Sequence, residues 1–437
     1  MFDPTLVAGG FTLAMLLLMA FGIPIAIALG MAGLAGLVLL GGNALAIGQL
    51  YNVSYSVTAN YSFAVLPTFL LMGNLAMSSG MAAELYNAAD KWLGHLRGGL
   101  YLATICGAAG FAAISGSPLV NATVFTRLSL PEMLKLGYSK SLSGACIASA
   151  GTLAAMIPPS IGMVIYGILT EQSIGKLMIA GIIPGIITAL CYCVMIAVIV
   201  RMKPELAPGS RERSPRRERM SALANTWSII LLFGFIMTGI YGGFFSPSAA
   251  GAVGAFGALV IIAARGRMTR GLLGGAIMRA AETTAMIFII VIGGMIYSRM
   301  LVLSGFVTEL VDFTQALNLT PTMLLLLLGL MYVVLGCFME GLSMQLVTIP
   351  FVFPIVMSAG VDPIFFGIIM IVLIEIGAIT PPIGLNLFAT VGASDGQLRI
   401  EDIARGILPF VLLNVALLVL FVMFPQIVMW LPNQMKF

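Results

Sequence analysis

The sequence predicts an all-α membrane protein built from two inverted repeats, each with five crossings and one re-entrant hairpin. Of its 437 residues, 60% are hydrophobic and only 9% are charged, whereas a soluble domain carries about 25% charged residues. Apolar runs of roughly 20 residues, long enough to span a bilayer as a helix, recur along the chain. Prolines and glycines of the first half return in order in the second half. The alternating pattern of a membrane β-barrel is missing.

Ten apolar segments predict the crossings and two predict the hairpins. The crossings lie at residues 5–21, 23–42, 63–80, 139–170, 176–201, 226–243, 245–265, 282–303, 364–391 and 406–430. Segments 100–131 and 332–358 carry polar or helix-breaking residues at their middle, Ser115-Gly116-Ser117-Pro118 and Glu340-Gly341-Leu342-Ser343. Such a middle favours two half-helices that meet at a tip, surrounded by protein or a wet cavity. Amphipathic stretches 82–96 and 268–280 are expected to lie along the membrane surface as arms.

The basic residues predict the orientation, because cytoplasmic loops carry an excess of Lys and Arg. Stretch 201–219 holds seven of the 21 basic residues and is expected in the cytoplasm. Alternation from there places 18 of the 21 on that side and leaves Lys176, Arg299 and Lys436 outside. Both termini are therefore predicted to face the periplasm. Because the basic residues lie in short loops, the bilayer is an expected partner and nucleic acid is not.

The two halves match at an almost constant offset. Four features recur 223 residues apart: Pro24 as Pro247, Pro131 as Pro354, Gly137 as Gly360 and Pro158-Pro159 as Pro381-Pro382. At an offset of 225, the string Ser79-Gly80 to Glu84-Leu85 resembles Ser304-Gly305 to Glu309-Leu310. Five crossings per half force the second copy into the membrane upside down, an arrangement found in many secondary transporters.

Each half contains a double proline inside its fourth crossing. Two successive prolines remove two backbone donors and clash with the preceding turn, so the helix must break there and leave carbonyls unpaired. A hairpin tip lies 41 residues before each break, from Ser117 to Pro158 and from Glu340 to Pro381. We therefore expect tip and break to meet. Half-helix N-termini there favour an anion, while carbonyls and hydroxyls suit a hard cation such as Na⁺.

Several classes of chemistry find no support in the sequence. A single histidine, His95, leaves neither a zinc-binding His pair nor a Ser-His-Asp triad, which argues against an intramembrane enzyme. The five cysteines lie in apolar stretches and are interpreted as free packed thiols. A channel remains an alternative, although paired broken helices suit an occluded site better than an open pore.

The string around the second double proline resembles the large membrane subunit of TRAP (tripartite ATP-independent periplasmic) transporters. It reads Phe366-Gly367-Ile368-Ile369-Met370, followed by Ile376-Gly377-Ala378-Ile379-Thr380-Pro381-Pro382-Ile383-Gly384-Leu385-Asn386-Leu387-Phe388. Shorter strings resemble the same family: Gly22-Ile23-Pro24, Leu66-Pro67-Thr68-Phe69, Leu71-Met72-Gly73-Asn74 and Ile157-Pro158-Pro159-Ser160. The resemblance covers residues 22–424. At the second tip the family usually carries Asp, where this chain has Glu340.

The resemblance implies an elevator-type secondary transporter of the bacterial inner membrane. It implies Na⁺-driven uptake of an organic acid, such as a C4-dicarboxylate or sialic acid, delivered by a soluble periplasmic binding protein. A separate small membrane subunit of four helices is a further implied partner. The alternative is a stand-alone Na⁺- or H⁺-coupled carboxylate transporter that needs no binding protein.

Mapped onto the repeat, the resemblance gives five regions and two or more Na⁺ sites. The regions are a scaffold with arm (1–99 and 226–331), a transport core (100–201 and 332–437) and a cytoplasmic basic linker (202–225). One Na⁺ site is assigned to Ser115, Ser117, Asn121, Thr152 and Met156, and the other to Glu340, Gly341, Ser343, Gly377 and Thr380. The substrate is assigned to Asn121, Ser160, Gln345 and Asn386.

Two charged residues within apolar sequence have open interpretations. Like Glu340, Glu375 is an acid inside an apolar run, where an ionised carboxylate needs a partner. It either offsets a cation, carries a coupling proton, or is a neutral or capping carboxyl. Arg299 either binds a partner, the binding protein or the anionic substrate, or extends its head group to the membrane surface.

Overall fold

The computed structural model describes residues 3–209 and 211–434, so Lys436 and both termini lie outside the described residues. These residues form twenty α-helices and no strand. The first half comprises α1 (Pro4–Ala20), α2 (Ile25–Ala59), α3 (Val65–Ser78), α4 (Met81–Leu93), α5 (Gly99–Ser115), α6 (Pro118–Lys135), α7 (Lys140–Met156), α8 (Ile161–Leu169) and α9 (Ile174–Met202). The rest comprises α10 (Arg216–Asn225), α11 (Trp227–Tyr241), α12 (Pro247–Ala264), α13 (Arg270–Leu303), α14 (Phe306–Ala316), α15 (Pro321–Gly336), α16 (Gly341–Ser358), α17 (Pro363–Ile379), α18 (Leu385–Gly392), α19 (Ile400–Met423) and α20 (Pro425–Met429).

Many of these helices are long and apolar enough to cross a membrane. Within the described ranges seven qualify, and nine when the bent pairs α7 with α8 and α10 with α11 each count as one span. The bends measure 41° and 44°. The all-α, polytopic fold predicted from the sequence is confirmed.

The second half repeats the first, and from α4 onward the match is helix for helix, with α4–α9 returning as α14–α19. The repeats also exchange neighbours. Helix α6 packs on α18 as α16 packs on α8, and α7 packs on α19 as α17 packs on α9. An approximate two-fold relation between the halves produces such reciprocal pairs, so the core of the molecule is shared by both repeats.

Outside this core the halves also meet, where α2 packs on α13 and α3 packs on α12 and α13. A methyl carbon on Gly33 would lie 2.7 Å from the backbone nitrogen of Tyr297, and one on Gly293 would lie 2.6 Å from the carbonyl oxygen of Ala26. The two backbones therefore touch, which only glycine permits. Such small-residue contacts hold membrane helices together by close packing.

Two sequence-based boundaries need correction, and one helical segment was missed. The second crossing ends near residue 42 as predicted, because Gly41 and Gly42 have non-helical backbone angles, and a further helical segment that the sequence did not predict follows as far as Ala59. The second hairpin begins at Pro321 and not near residue 332, because the leucine-rich run before it carries no turn residue and extends its first half-helix. Segment 268–280 is not an arm: residues 270–280 form the first turns of the continuous helix α13.

The second arm is α14, the counterpart of α4. Both helices begin after a glycine in the left-handed region, Gly80 with φ 84° and Gly305 with φ 76°. The preceding serines both donate a hydrogen bond to a carbonyl three residues back, at 2.8 Å. The Ser-Gly pair that recurs at an offset of 225 thus marks the same helix–turn–helix corner in both repeats. The division into five regions stays a prediction.

Candidate functional site

Both hairpin tips and both helix breaks converge on one cavity with a volume of about 70 Å³. Each element contributes a short stretch to the wall: residues 116–119 and 339–342 from the tips, and residues 160–162 and 385–386 from the breaks. Helices α7 and α17 supply the remaining side chains, together with Gln345 of α16. The lining residues of α7 and α17 are Thr152, Ala155, Ile371, Ile374, Glu375 and Ala378.

At the first tip, Gly116 turns the chain with φ 59° and contacts the first break. Its carbonyl oxygen accepts a hydrogen bond from the backbone N–H of Ile161 at 3.2 Å. A methyl carbon on Gly116 would lie 2.6 Å from the carbonyl oxygen of Pro159, so any larger residue would separate tip and break.

The second tip and break repeat this contact. The backbone N–H of Gly384 donates to the carbonyl oxygen of Cys337 at 3.3 Å. Just before this break, Gly377 of α17 packs against Gly336 of α15. A methyl carbon on Gly377 would lie 2.6 Å from Cα of Gly336, so the two helices pack backbone to backbone. The predicted meeting of tip and break is therefore present in both halves.

Four helix N-termini face the cavity, those of α6, α8, α16 and α18. The cap residue of α8, Ser160, accepts a hydrogen bond from the N–H of Met163. In the described chain, the side chains of Ser117 and Glu340 accept no such bond from the first turns of α6 and α16, and Gly384 has no side chain to cap α18. Backbone N–H groups and the positive ends of four helix dipoles are thus available to a negatively charged ligand.

The residues assigned to the first Na⁺ site lie at the wall and just behind it. Ser117 and Thr152 line the cavity, while Ser115, Asn121 and Met156 are buried next to it in α5, α6 and α7. Asn121 donates through Nδ2 to the carbonyl oxygen of Ala108 at 3.1 Å. Within the described residues, Ser115 Oγ and Asn121 Oδ1 are buried without a hydrogen-bond partner.

The residues of the second assigned site are similarly divided. Glu340 and Gly341 line the cavity. Ser343 lies behind the tip, and its Oγ is buried without a partner in the described chain. Gly377 is in the α15–α17 contact, and Thr380 donates through Oγ1 to the carbonyl oxygen of Ile376 at 2.5 Å.

Three of the four residues assigned to the substrate line the cavity: Ser160, Gln345 and Asn386. Asn121 differs, because its amide is taken up by the backbone of α5 and it does not reach the wall. Arg299 is exposed on α13, far along the chain from every lining residue, and partner binding by it stays a prediction.

Sequence reasoning left Glu375 undecided and missed the apolar part of the wall. Glu375 is 2% exposed and lines the cavity with Ile371, Ile374 and Ala378. These positions on α17 are separated by three and four residues, so they share one face. These residues could have been found from the sequence by counting back from Ala378, which lies just before the double proline, in steps of three and four residues.

The wall carries two acidic side chains and no basic one. Glu340 and Glu375 both line the cavity, and among the described lining residues there is no Lys, Arg or His. A carboxylate at membrane depth is costly unless a cation or hydrogen-bond donors accompany it. The cavity is therefore suited to a ligand anion held by helix N-termini together with a cation.

The chain matches proteins of one family. A family described as "Tripartite ATP-independent periplasmic transporter, DctM component" matches residues 12–427. The C4-dicarboxylate TRAP transporter large permease of Pseudomonas aeruginosa is 33% identical over 380 residues, covering 87% of this chain and 88% of that protein. The isethionate TRAP transporter permease of Oleidesulfovibrio alaskensis is 33% identical over 418 residues, covering 95% of this chain but only 64% of that longer protein. The sialic acid TRAP transporter large permease of Vibrio cholerae is 29% identical over 376 residues, covering 86% of this chain and 87% of that protein.

Solved structures share the fold at low sequence identity. The Alcanivorax borkumensis YdaH transporter superimposes with a TM-score of 0.66 at 15% identity and covers 98% of this chain and 99% of that chain. MtrF of Neisseria gonorrhoeae superimposes with a TM-score of 0.56 at 13% identity, over 88% and 85% of the two chains. The fold is thus a membrane transporter fold. From the family match over nearly its whole length, the chain belongs to the DctM component, the large permease, of the tripartite ATP-independent periplasmic transporters.

Proposed function

We propose that this protein carries an organic acid into the cell together with Na⁺, as the large subunit of a tripartite secondary transporter and not as an enzyme. The observation that carries the proposal is the cavity at which four helix N-termini meet two carboxylates without a basic side chain in the described wall. Helix N-termini attract the substrate carboxylate. A cation that enters with the substrate balances Glu340 and Glu375 when these carboxyl groups are ionised.

The cation sites follow the two-fold plan of the structure. One is formed by Ser115, Ser117, Asn121, Thr152 and Met156, the other by Glu340, Gly341, Ser343, Gly377 and Thr380. Support comes from the buried oxygens of Ser115, Asn121 and Ser343, which have no hydrogen-bond partner in the described chain. Hydroxyl, amide and carbonyl oxygens are the ligands that hard cations prefer. The absence of any cluster of three His, Cys, Asp or Glu side chains among the searched residues fits such a set.

The proposed movement is an elevator. In it, the hairpins α5–α6 and α15–α16 move with α7–α9 and α17–α19 as one core against the scaffold helices α1–α3 and α11–α13. The exchange of neighbours between α7 and α19, and between α17 and α9, supports a core that moves as one body. The scaffold has its own backbone contact between α2 and α13.

The proposed partners are a soluble periplasmic binding protein, which delivers the acid, and a small four-helix membrane subunit. Support is the tripartite, periplasmic description of the matched family. The proposed location is the bacterial inner membrane with both termini in the periplasm, supported by the distribution of basic residues.

Reconstitution in liposomes tests the proposal. The full chain, with any subunit that copurifies, is given a labelled acid with or without the binding protein and with a Na⁺ or K⁺ gradient. We expect uptake only with both binding protein and Na⁺. Uptake of the acid without any soluble partner would replace the tripartite function with a stand-alone transporter. Equal uptake in K⁺ would remove Na⁺ coupling.

A further inference from the structure

Three buried oxygen atoms of residues in the cavity wall accept no hydrogen bond, and they indicate which functional groups the substrate carries. They are Gln345 Oε1, Glu375 Oε1 and Asn386 Oδ1, each without a partner in the described part of the chain. The three residues are between 1% and 2% exposed and come from α16, α17 and α18. An unpaired acceptor in such a place is costly, and a molecule that enters the cavity can supply its donor.

We propose that the cavity takes an acid that carries hydrogen-bond donors, hydroxyl or ammonium, on its carbon chain beside the carboxylate. This inference rests on the proposed transport function and narrows its substrate class. Unsubstituted acids would leave the three oxygens unpaired. One ammonium group or a small set of hydroxyls supplies the three donors that the wall lacks.

The orientation of Asn386 is fixed by its neighbour. Its Nδ2 donates to the carbonyl oxygen of Ala148 at 3.3 Å. A carbonyl oxygen can only accept, so the amide cannot be turned round, and Oδ1 must point away from Ala148 as an acceptor. Asn386 is the second residue of α18 and lines the cavity.

Gln345 and Glu375 reach the cavity from the hairpin helix and from the broken helix. The amide nitrogen of Gln345 lies 3.2 Å from the place a methyl carbon would take on Gly162, so the side chain packs against the first break. Glu375 is an acceptor on both oxygens when ionised. Both side chains line the cavity.

The wall itself offers few side-chain donors. In the described lining these are the hydroxyls of Ser117, Thr152 and Ser160 and the two amide groups. Thr152 already donates to the carbonyl oxygen of Ser149 at 2.8 Å. The remaining donors lie at helix N-termini, where a carboxylate takes them. Substrate carboxylate and substrate donors are thus bound by different parts of the wall.

Matched acids test this inference. Succinate, malate and aspartate share one four-carbon diacid skeleton with hydrogen, hydroxyl or ammonium at the second carbon, and hexanoate and gluconate extend the comparison to six carbons. The full chain, with any membrane subunit that copurifies, is titrated with each acid in saturating Na⁺, and binding is followed by the thermal unfolding midpoint and by calorimetry. We expect at least one substituted acid to bind tenfold or more tightly than its unsubstituted partner, because a wall built for donors discriminates against ligands that lack them.

Two isosteric variants link that preference to the named oxygens. Gln345→Met removes the amide, and Glu375→Gln removes one charge at constant shape. We expect each to reduce the preference for the substituted acid at least threefold. Gln315→Met on the exposed arm and Glu282→Gln on α13, both outside this wall, serve as matched controls and should preserve the preference.

Three results would overturn the inference. In the first, substituted and unsubstituted acids bind equally. In the second, both variants retain the full preference. In the third, the variants change the affinity for Na⁺ added alone and not the preference among acids, which would assign the oxygens to the cation. Na⁺-driven uptake of an unsubstituted acid alongside any of these results would leave the proposed function standing, whereas loss of Na⁺ dependence for every acid would remove both.

Discussion

Ser117 and Glu340 occupy equivalent positions, 223 residues apart, as the cap residues of α6 and α16. One carries a hydroxyl and the other a carboxyl group, although both precede the second half-helix of a hairpin. The two proposed Na⁺ sites therefore differ in charge. A carboxylate attracts a cation more strongly than a hydroxyl does, so we expect the site at Glu340 to fill at lower Na⁺ concentration.

Removing single oxygens should weaken Na⁺ coupling. Ser117→Ala and Thr380→Ala each delete one hydroxyl from a proposed site. A lost ligand bond of about 1 kcal/mol corresponds to roughly a fivefold higher Na⁺ concentration for half-maximal uptake. Thr58→Ala is the control, because Thr58 also donates to a carbonyl four residues back, at 2.8 Å, but is exposed on α2. Unchanged Na⁺ activation in both site variants would refute the assignment.

Gly377→Ala should destabilise the protein. The added methyl group would meet Cα of Gly336 at 2.6 Å, so α15 and α17 would have to separate. Overpacking of this kind costs about 1–3 kcal/mol, and we expect a lower midpoint of thermal unfolding in detergent. Gly9→Ala on α1 is the control, since nothing lies within 4 Å of its added carbon. Equal midpoints for the two variants would contradict the close helix contact.

At the scale of elements, the linker before α10 is attached to two regions at once. Arg211 donates to Asp90 of α4 at 3.0 Å and to Glu132 of α6 at 2.9 Å. Helix α4 is an arm, while α6 belongs to the first hairpin. Further along, Lys91 pairs with Glu218 at 2.8 Å. The linker therefore joins the arm to the proposed core.

The Lys91–Glu218 pair persists at neutral pH. Its hydrogen bond to Glu218 raises the pKa of Lys91 above the usual value. A raised lysine pKa means that the stabilisation is complete below the unfolded-state pKa and is lost only as the pH rises through the folded-state pKa. Between pH 6 and 8 we therefore expect the attachment of α10 to α4 to be constant.

Arg211→Gln should loosen the linker. Partly exposed ion pairs contribute about 0.2–1 kcal/mol each, so loss of both pairs predicts cleavage up to roughly thirtyfold faster by a glutamyl endopeptidase. Its target residues in the linker, Glu205 and Glu212, are retained in the variant. Arg213→Gln is the control, because Arg213 is exposed and makes no ion pair within the described chain. Equal cleavage of both variants would show that Arg211 does not hold the linker.

At the scale of the whole molecule, an elevator requires the core to slide along the arm. Leu85 of α4 contacts Gly110 of α5, with 3.2 Å between its Cδ2 and a methyl carbon placed on Gly110. Cysteines at both positions, joined by a short bifunctional thiol reagent, should abolish uptake. Two native cysteines, Cys106 of α5 and Cys193 of α9, have sulfurs 4.0 Å apart, and both helices belong to the proposed core. Joining that pair should leave uptake intact, and uptake that survives the Leu85–Gly110 link would argue against sliding.

The inverted plan could be predicted because it depends on residues whose backbone effects are strong. Two successive prolines remove two backbone donors, and the Pro-Pro pairs therefore marked both breaks, whereas single prolines such as Pro131 and Pro184 lie inside continuous helices. The polar tips were visible because polar residues are rare in apolar runs. The start of the second hairpin was missed although Thr320 as a cap residue and Pro321 as the first helical residue mark it, because the boundary was placed from the apolar pattern alone.

The cavity wall was only partly predictable for a related reason. Ser160, Gln345 and Asn386 stood out as polar side chains beside a tip or a break. Whether such a side chain reaches the cavity depends on helix rotation and on competing backbone partners. Asn121, which bonds to Ala108, could not be separated from them by sequence alone.

The exchange of partners between the repeats has a consequence for biosynthesis. Helix α7 packs on α19, which begins at residue 400, and α2 packs on α13, which begins at residue 270. The N-terminal half is therefore synthesised before the helices it packs against. Its contact surfaces stay exposed to lipid until almost the last helix has been inserted. The two halves, expressed as separate polypeptides, should accumulate only when both are made in the same cell.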